Sequence, residues 1–404
     1  MMKKILWVLL PLLLLLTACG FGETPETTPP IVEVEIPFVE ETEPPRPYEG
    51  VKLTFRSIWQ AEEPQAQVLL QAAETFKNQT GAEVEIFWAE SSETADVFQM
   101  RAEEFFTTAV EPLDLTKMAE ASGYADKSHE ALRSRITEHC GYLGALAQVP
   151  YLGGIYYNAD AFAACGITKS PETWEEFAEV SRILRAGGWE PLTLDKDDAV
   201  IAMELHLRRT IGTEEMLRLM GKKGQWHFEQ AVTDAMEQVM LYVQEGNMTY
   251  GTPTDYPAGQ NKMGISNSAM MVGTNADCVA VETDTMTELR WGVFPYPGEM
   301  ESGTWATADV VAIQADCKHP QAAFDFALLL VTGEFDRLRT DITGGIPADP
   351  SNPSPVAGAV EALQAAEPMD PAIFGSKQTD VAVKLWSAWY EKPNRYAVAL
   401  ERSK

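Results

Sequence analysis

Residues 149–188 read VPYLGGIYYNADAFAACGITKSPETWEEFAEVSRILRAGG, and the fold is decided here. Val149-Pro150-Tyr151 leads into an apolar strand at Ile155-Tyr156-Tyr157, and Asn158-Ala159-Asp160 turns the chain into a short helix ending near Gly166. Thr173 and Glu176 stand at capping-box spacing, so hydroxyl and carboxylate can each satisfy an orphan backbone amide at a helix start. Trp174, Phe177, Val180 and Leu184 then recur on one helical face, and Gly187-Gly188 stops the helix. A strand, a tight turn and a capped amphipathic helix together form an α/β unit.

The same alternation runs upstream. Val51-Lys52-Leu53-Thr54-Phe55 reads as a strand that runs into Arg56-Ser57-Ile58-Trp59-Gln60. Ala66, Leu69, Leu70, Ala73 and Phe76 follow at helical spacing, closed by Thr80-Gly81. Val84 to Trp88 reads as a second strand and Ala95 to Phe98 as a third. Strand, helix and strand in this order predict a parallel sheet with helices on its faces. Ligands on such sheets sit beyond the carboxyl ends of the strands. That rule places Trp59-Gln60 and Gln99-Met100 side by side as candidate cleft residues.

Several of these stretches also carry a resemblance. Val149-Pro150-Tyr151, Tyr156-Tyr157-Asn158-Ala159-Asp160 and Pro171-Glu172-Thr173-Trp174-Glu175-Glu176-Phe177 resemble the extracellular solute-binding protein family 1, the maltose-binding-like receptors of ABC importers. Phe76 to Val84, Ala95 to Phe98, Glu111 to Asp114, Gly264 to Gly273, Ala322 to Phe326 and Gly345 to Ala348 are similar to further family motifs in family order. The likeness spans about residues 50–400. It implies an α/β, two-lobe periplasmic-binding-protein-like (type II) fold with a hinge and an inter-lobe cleft. Lobe one would comprise 50–148 plus 308–344, and lobe two 149–307 plus 345–404, crossing near Gln148–Tyr151 and Thr307–Val310. One departure is visible: only Ala89 to Thr94 separate the second and third strands, where family members usually fit a helix.

The resemblance also implies which loops hold a ligand. A sugar needs flat aromatic faces for the apolar side of its ring and polar groups for its hydroxyls, and unpaired buried donors discriminate against the wrong ligand. By matched position Trp59 and Trp305 are expected as stacking platforms. Gln60, Gln99, Asp195, Asp197 and Asn275 are expected to bond hydroxyls, with Thr274 beside them and Tyr151 at the crossing. The bland alternatives are a core Trp59 and a solvated Asp195-to-Asp198 turn. Family members often carry a Trp where Thr274-Asn275 stand and aromatics near Gln99. Their absence implies a ligand smaller or more polar than a long maltodextrin. The helix Val381 to Tyr390, with Trp386 and Trp389, reads as lobe packing.

Composition limits the alternatives. Length of 404 residues suggests two or three domains, and 45% hydrophobic with 23% charged residues is ordinary globular usage. With 31 Lys plus Arg against 60 Asp plus Glu, the net charge of −29 repels phosphate backbones and anionic lipid, which excludes nucleic acid as a partner. No Gly-x-Ser-x-Gly elbow, His-Glu-x-x-His, Cys-x-x-Cys or phosphate-binding glycine loop occurs, and the five histidines show no i, i+4 pairing. Asp195-Lys196-Asp197 mimics the start of a calcium loop, but Val200 and His206 stand where Gly and Glu are needed. No catalysis, metal or cofactor is therefore expected. Abundant carboxylates keep a surface glycan-degrading enzyme as the alternative of another class. Within the binding class the alternative is a receptor for a polar non-sugar solute, or a sensor subunit.

The first residues point to a compartment. Lys3 and Lys4 precede an apolar run from Ile5 to Leu16, which is too short to span a bilayer but fits a signal-peptide core. Leu16-Thr17-Ala18-Cys19 resembles a bacterial lipobox, so residues 1–18 are expected to be removed and Cys19 lipidated, anchoring the protein at the extracytoplasmic face. Gly20 to Glu49 holds seven Pro, eight Glu and four Thr in thirty residues and reads as an extended tether. An edge strand at Ile31 to Ile36 is the rival reading. Cys140, Cys165, Cys278 and Cys317 then remain, with three full pairings open and free thiols the default. The expected partners are a carbohydrate ligand and the permease subunits of an ABC transporter, with the protein acting as a monomer.

Overall fold

A computed structural model describes residues 46–368, apart from 90, 92, 110, 195–197, 221–233, 235–244, 247–248, 251–267, 286–287 and 301–302. All of these lie in the compact unit Pro45–Lys404. The signal segment, Cys19, nearly all of the tether, Asp195, Asp197 and the Val381 to Tyr390 helix lie outside the described residues.

Ten strands are described: β1 Lys52–Arg56, β2 Glu83–Phe87, β3 Val97–Met100, β4 Ala145–Asn158, β5 Glu190–Leu194, β6 Thr249–Tyr250, β7 Ser268–Gly273, β8 Trp291–Phe294, β9 Trp305–Ile313 and β10 Glu367–Pro368. Their order is β2-β1-β3-β9-β4-β7-β5-β6, with β8 also on β4 and β10 also on β9. β1 is parallel to β2 and β3, as the strand–helix–strand pattern predicts. The sheet is nevertheless mixed, because β9 returns antiparallel to both β3 and β4. No helix occurs among the described residues between β2 and β3, in keeping with the short segment that separates them.

β4 joins the two halves of this array. Residues 145–153 pair with β9, and residues 154–158 pair with β7 and β8. The sequence places a strand at Ile155-Tyr156-Tyr157, with Val149-Pro150-Tyr151 leading into it. The chain runs straight through Pro150 instead, helped by a register shift between Ala147 and Val149 that leaves Gln148 as an extra residue. Pro150 itself is in register with Ala308, and its carbonyl faces Asn275 on the side of β4 away from β9, so its missing N–H costs no bond of the β4–β9 ladder.

Local sequence explains the flanking helices. Pro64–Thr80 starts on a proline and ends on Gly81, whose φ of 83° is the left-handed cap that glycine adopts without strain. It buries Ala66, Val68, Leu69, Ala72 and Phe76, so the buried face is turned slightly from the expected one and Leu70 is left exposed. The helix is covered by Gly333–Thr343 as well as by Pro320–Val331, which pulls Val68 and Ala72 inward. Phe326 meets Phe76 at a tilt, with ring centroids 5.3 Å apart, and Phe55 edge-on at 5.6 Å, where helices meet sheet. In the other half, Trp174–Ala186 carries the predicted capping box, with the Thr173 and Glu176 side chains each accepting from the other's backbone amide. Asn158 caps Ala159–Ala164 in the same manner, accepting from the amides of Asp160 and Ala161. Cys140, Cys165 and Cys317 are free thiols.

Candidate ligand-binding site

Gln99, Asn275 and Trp305 meet β4 between Gln148 and Gly153, where Tyr151 also stands, whereas Gln60 and Thr274 bond elsewhere, to Glu63 and Asp277. In an antiparallel pair, directly opposed residues point to the same face. Tyr151 opposes Thr307, Gly153 opposes Trp305 and Val149 opposes Asp309, so one face of the β4–β9 ribbon carries a polar and aromatic strip. The Tyr151 hydroxyl donates to Asp309 Oδ2 at 2.9 Å, and Asp309 Oδ1 accepts from the backbone amide of Ala102 at 2.9 Å, where the chain leaves β3. Burial pushes the Asp309 carboxyl above the ordinary range for an aspartic acid, while these two donors and the nearby Arg101 and Arg339 oppose the shift. Burial and the adjacent carboxylate hold the Tyr151 phenol well above its ordinary value.

Trp305 is 3% exposed, and its indole lies on the backbone of Gly153. A Cβ at position 153 would stand 2.2 Å from Trp305 Cε2, so only glycine permits this contact. Trp59 is 7% exposed; its amide donates to Ser57 Oγ at 3.0 Å and its carbonyl accepts from Ala89 at 3.1 Å. Both tryptophans are thus packed into the frame of the fold. Gln60 is half-buried beside Trp59, its amide held by Glu63 at 2.9 Å.

The polar candidates are engaged with protein. Gln99 lies within β3 rather than beyond it, and its Oε1 accepts from Ser57 Oγ at 2.7 Å and from the Ile58 amide at 3.1 Å. Its Nε2 donates to Gln148 Oε1. Asn275 acts as a clamp: Nδ2 donates to Pro150 O at 3.0 Å and Oδ1 accepts from the Leu152 amide at 3.0 Å. It thereby satisfies the β4 edge just past the last β4–β7 pair, Gly154 with Gly273. Thr274 gives its amide and hydroxyl to Asp277 Oδ2, at 2.7 and 3.0 Å, at the start of the helix Asn275–Thr285.

Sequence reasoning overlooked Gln148, Asp309 and Arg339. A lone carboxylate within the apolar run Trp305–Ile313 was the available signal for Asp309. Arg339 is buried against Asp336 at 2.7 Å and also donates to Ile346 O at 3.1 Å. Asp336 in turn accepts from the amides of Ala348 and Asp349 at 3.0 Å, which pins the Ile-Pro turn to the helix Gly333–Thr343. Among the described residues, no group of three or more His, Cys, Asp or Glu side chains could hold a metal ion.

Residues 59–332 match the family model of bacterial extracellular solute-binding proteins, more than half of the chain. The chain belongs to that family. Among curated proteins no sequence match is found. Solved structures agree on the fold. The bacterial solute receptor AcbH, described with an exclusive preference for b-D-galactopyranose, superposes with a TM-score of 0.67 at 14% identity, covering 87% of this chain and 97% of that one. The apo form of RafE from Streptococcus pneumoniae gives 0.65 at 14% identity, over 87% and 96% of the two chains. A sugar transporter protein from Bacillus licheniformis in complex with stachyose gives 0.55 at 14% identity, over 87% and 98%. This solute-binding protein therefore has the α/β, two-lobe type II fold, and its family and neighbours are binding proteins rather than enzymes. The family is extracellular, and no helix among the described residues is long and apolar enough to cross a membrane.

Proposed function

We propose that this solute-binding protein is the receptor of an ABC importer and takes up a sugar or short oligosaccharide in a cleft between two lobes. The observation that carries the reading is β4, a single strand that pairs with β9 in one half of the array and with β7 and β8 in the other. Its crossing stretch holds Tyr151 and faces Trp305, and Trp59 is tied to it through Gln99 and Gln148. The lobes are 50–148 plus 308–344 and 149–307 plus 345–404, and hinge bending at the crossing closes them on the ligand. Opening of that hinge uncovers Trp59 as a stacking face, while Trp305 stays on Gly153 as part of the crossing. The structural neighbours described with galactopyranose and stachyose favour a carbohydrate over other polar solutes.

In this reading the protein acts as a monomer, anchored at the extracytoplasmic face by a lipidated Cys19, with the acidic Pro-rich segment as tether. Equilibrium dialysis against radiolabelled raffinose, stachyose and galactose tests the binding claim. A receptor retains one of these sugars and returns it unchanged, whereas cleavage products or no retention contradict the reading. For the anchor, Cys19→Ser should release the protein from the cell membrane into the soluble extracytoplasmic fraction. Wild-type membrane association in that variant contradicts lipidation.

A further inference from the structure

The amide of Gln99 reaches past β9 to Gln148, joining two strands that do not pair with each other. In the sheet, β9 lies between β3 and β4, and Gln99 and Leu146 both oppose Val311, so they share one face. Gln148 follows as the extra residue of the bulge at the crossing of β4. Gln99 and Gln148 are 1% and 2% exposed, a depth at which a side-chain amide is retained only when its hydrogen bonds are made.

From Gln99 the chain of bonds continues without a break. Its Oε1 holds Ser57 Oγ and the Ile58 amide, and Ser57 Oγ holds the Trp59 amide. The Ile58 and Trp59 amides therefore depend on Gln99 staying in place, and Gln99 is fixed by Gln148. Ser57 differs, because its own amide bonds to Phe87 O at 2.8 Å as part of the β1–β2 ladder.

We propose that Gln148 and Gln99 are positioning residues that couple the bulge of the crossing strand to the Ile58–Gln60 segment. The bulge is the point where β4 changes register, so a hinge motion that alters its backbone moves Gln148 first. Trp59 feels that motion through three side chains, Gln148, Gln99 and Ser57, rather than through the sheet. Ligand-site geometry is thus set by the state of the hinge. Gln99 serves this coupling rather than bonding a ligand hydroxyl, since its acceptor is already shared by two donors. The functional consequence rests on the reading of Trp59 as a cleft residue, but the coupling itself can be measured without any ligand.

The test is amide hydrogen exchange, resolved by residue, on the purified protein and its Gln148→Met variant. Methionine keeps the length of the side chain and removes the acceptor for Gln99. Exchange at Ile58 and Trp59 should quicken about five-fold, the factor that corresponds to one net hydrogen bond, while the Ser57 amide keeps its wild-type rate. Gln148→Glu, read at pH 4 where the buried carboxyl is protonated and its carbonyl oxygen still accepts, should leave all three rates as in the wild type at the same pH. Unchanged rates at Ile58 and Trp59 in the methionine variant would overturn the coupling. So would an equal rise at Ser57, which would mean a general loosening of β1. If Gln148→Met does not fold, quickened Ile58 and Trp59 exchange in a folded Gln148→Glu variant would equally overturn it. Failure here alongside retention of a sugar in dialysis leaves the receptor reading intact; success here without retention sinks the sugar and keeps the coupling.

Discussion

Replacing Asn275 by Ala removes both bonds of the clamp on β4 at once. Pro150 O and the Leu152 amide lose the partners that stand 3.0 Å away, and both residues are buried. A buried backbone group left without a partner costs about 1–3 kcal/mol, so two of them give at least ~2 kcal/mol. A loss of that size lowers the melting temperature of a domain of roughly 150–250 residues by about 4–8 °C, and a somewhat smaller drop is expected for this larger chain. Asn275→Asp separates hydrogen bonding from packing. Its carboxylate can still accept from Leu152 but sets an oxygen against Pro150 O, so the variant should match or exceed the loss in Ala at pH 7. In acid the protonated carboxyl donates to Pro150 O, and part of the stability should return. Differential scanning calorimetry at pH 7 and pH 4 reads both effects. A melting temperature within 1 °C of wild type for Asn275→Ala would mean that water replaces the amide, and would refute the clamp.

Gly153→Val places a side chain where Trp305 now lies, so the indole must leave β4. A red shift of tryptophan emission and a loss of about 1–3 kcal/mol are expected, and unchanged emission would contradict the contact. Asp309→Asn keeps an acceptor for Ala102 and lets the amide meet the Tyr151 hydroxyl without a buried charge. Because the folded pKa of Asp309 is raised, folding binds an extra proton in the window from its unfolded value near 3.8 up to its folded one, and wild-type stability falls as pH rises through that window. The variant should gain on wild type at pH 7 and lose that advantage on acidification, as read by melting curves. His129 has the opposite requirement, since burial lowers its pKa and keeps it neutral. Wild type should weaken as pH falls below its unfolded value near 6.5, and His129→Gln should flatten that slope in urea titrations. Thr173→Ala removes one side of the exposed capping box and should cost about 1 kcal/mol in the same titrations.

Local signals were legible where one residue type has one physical use. The Thr173–Glu176 spacing gave the capping box, Gly81 gave a left-handed stop, and alternation in 51–55 and 84–88 located β1 and β2 to within a residue. The long reach of β4 was not legible, because Pro150 argues against a continuous strand, and only the fold shows that it faces Asn275 rather than the β4–β9 ladder. Val68 and Leu70 are equally apolar, and the helix Gly333–Thr343, remote in sequence, decides which one is buried. The candidate residues divide along the same line. Matched position points to Thr274, Asn275 and Trp305, and the crossing to Tyr151, yet the partners that engage them, Asp277, Pro150, Gly153 and Asp309, emerge only when the chain is folded. Matched position makes Gln99 a partner for a ligand hydroxyl, and the buried neighbours Ser57 and Gln148 give it a different occupation.

The most direct measurement of the central claim is a thermal-melt screen of the protein against mono- and oligosaccharides, amino acids and polyamines. A ligand at a hundred times its dissociation constant adds about 2.7 kcal/mol to stability, which raises the melting temperature by several degrees. The account predicts that one class of sugar produces such a shift and that amino acids and polyamines do not. A shift with amino acids or polyamines alone would contradict the sugar receptor, and a cooperative melt that no solute moves would contradict the receptor reading itself.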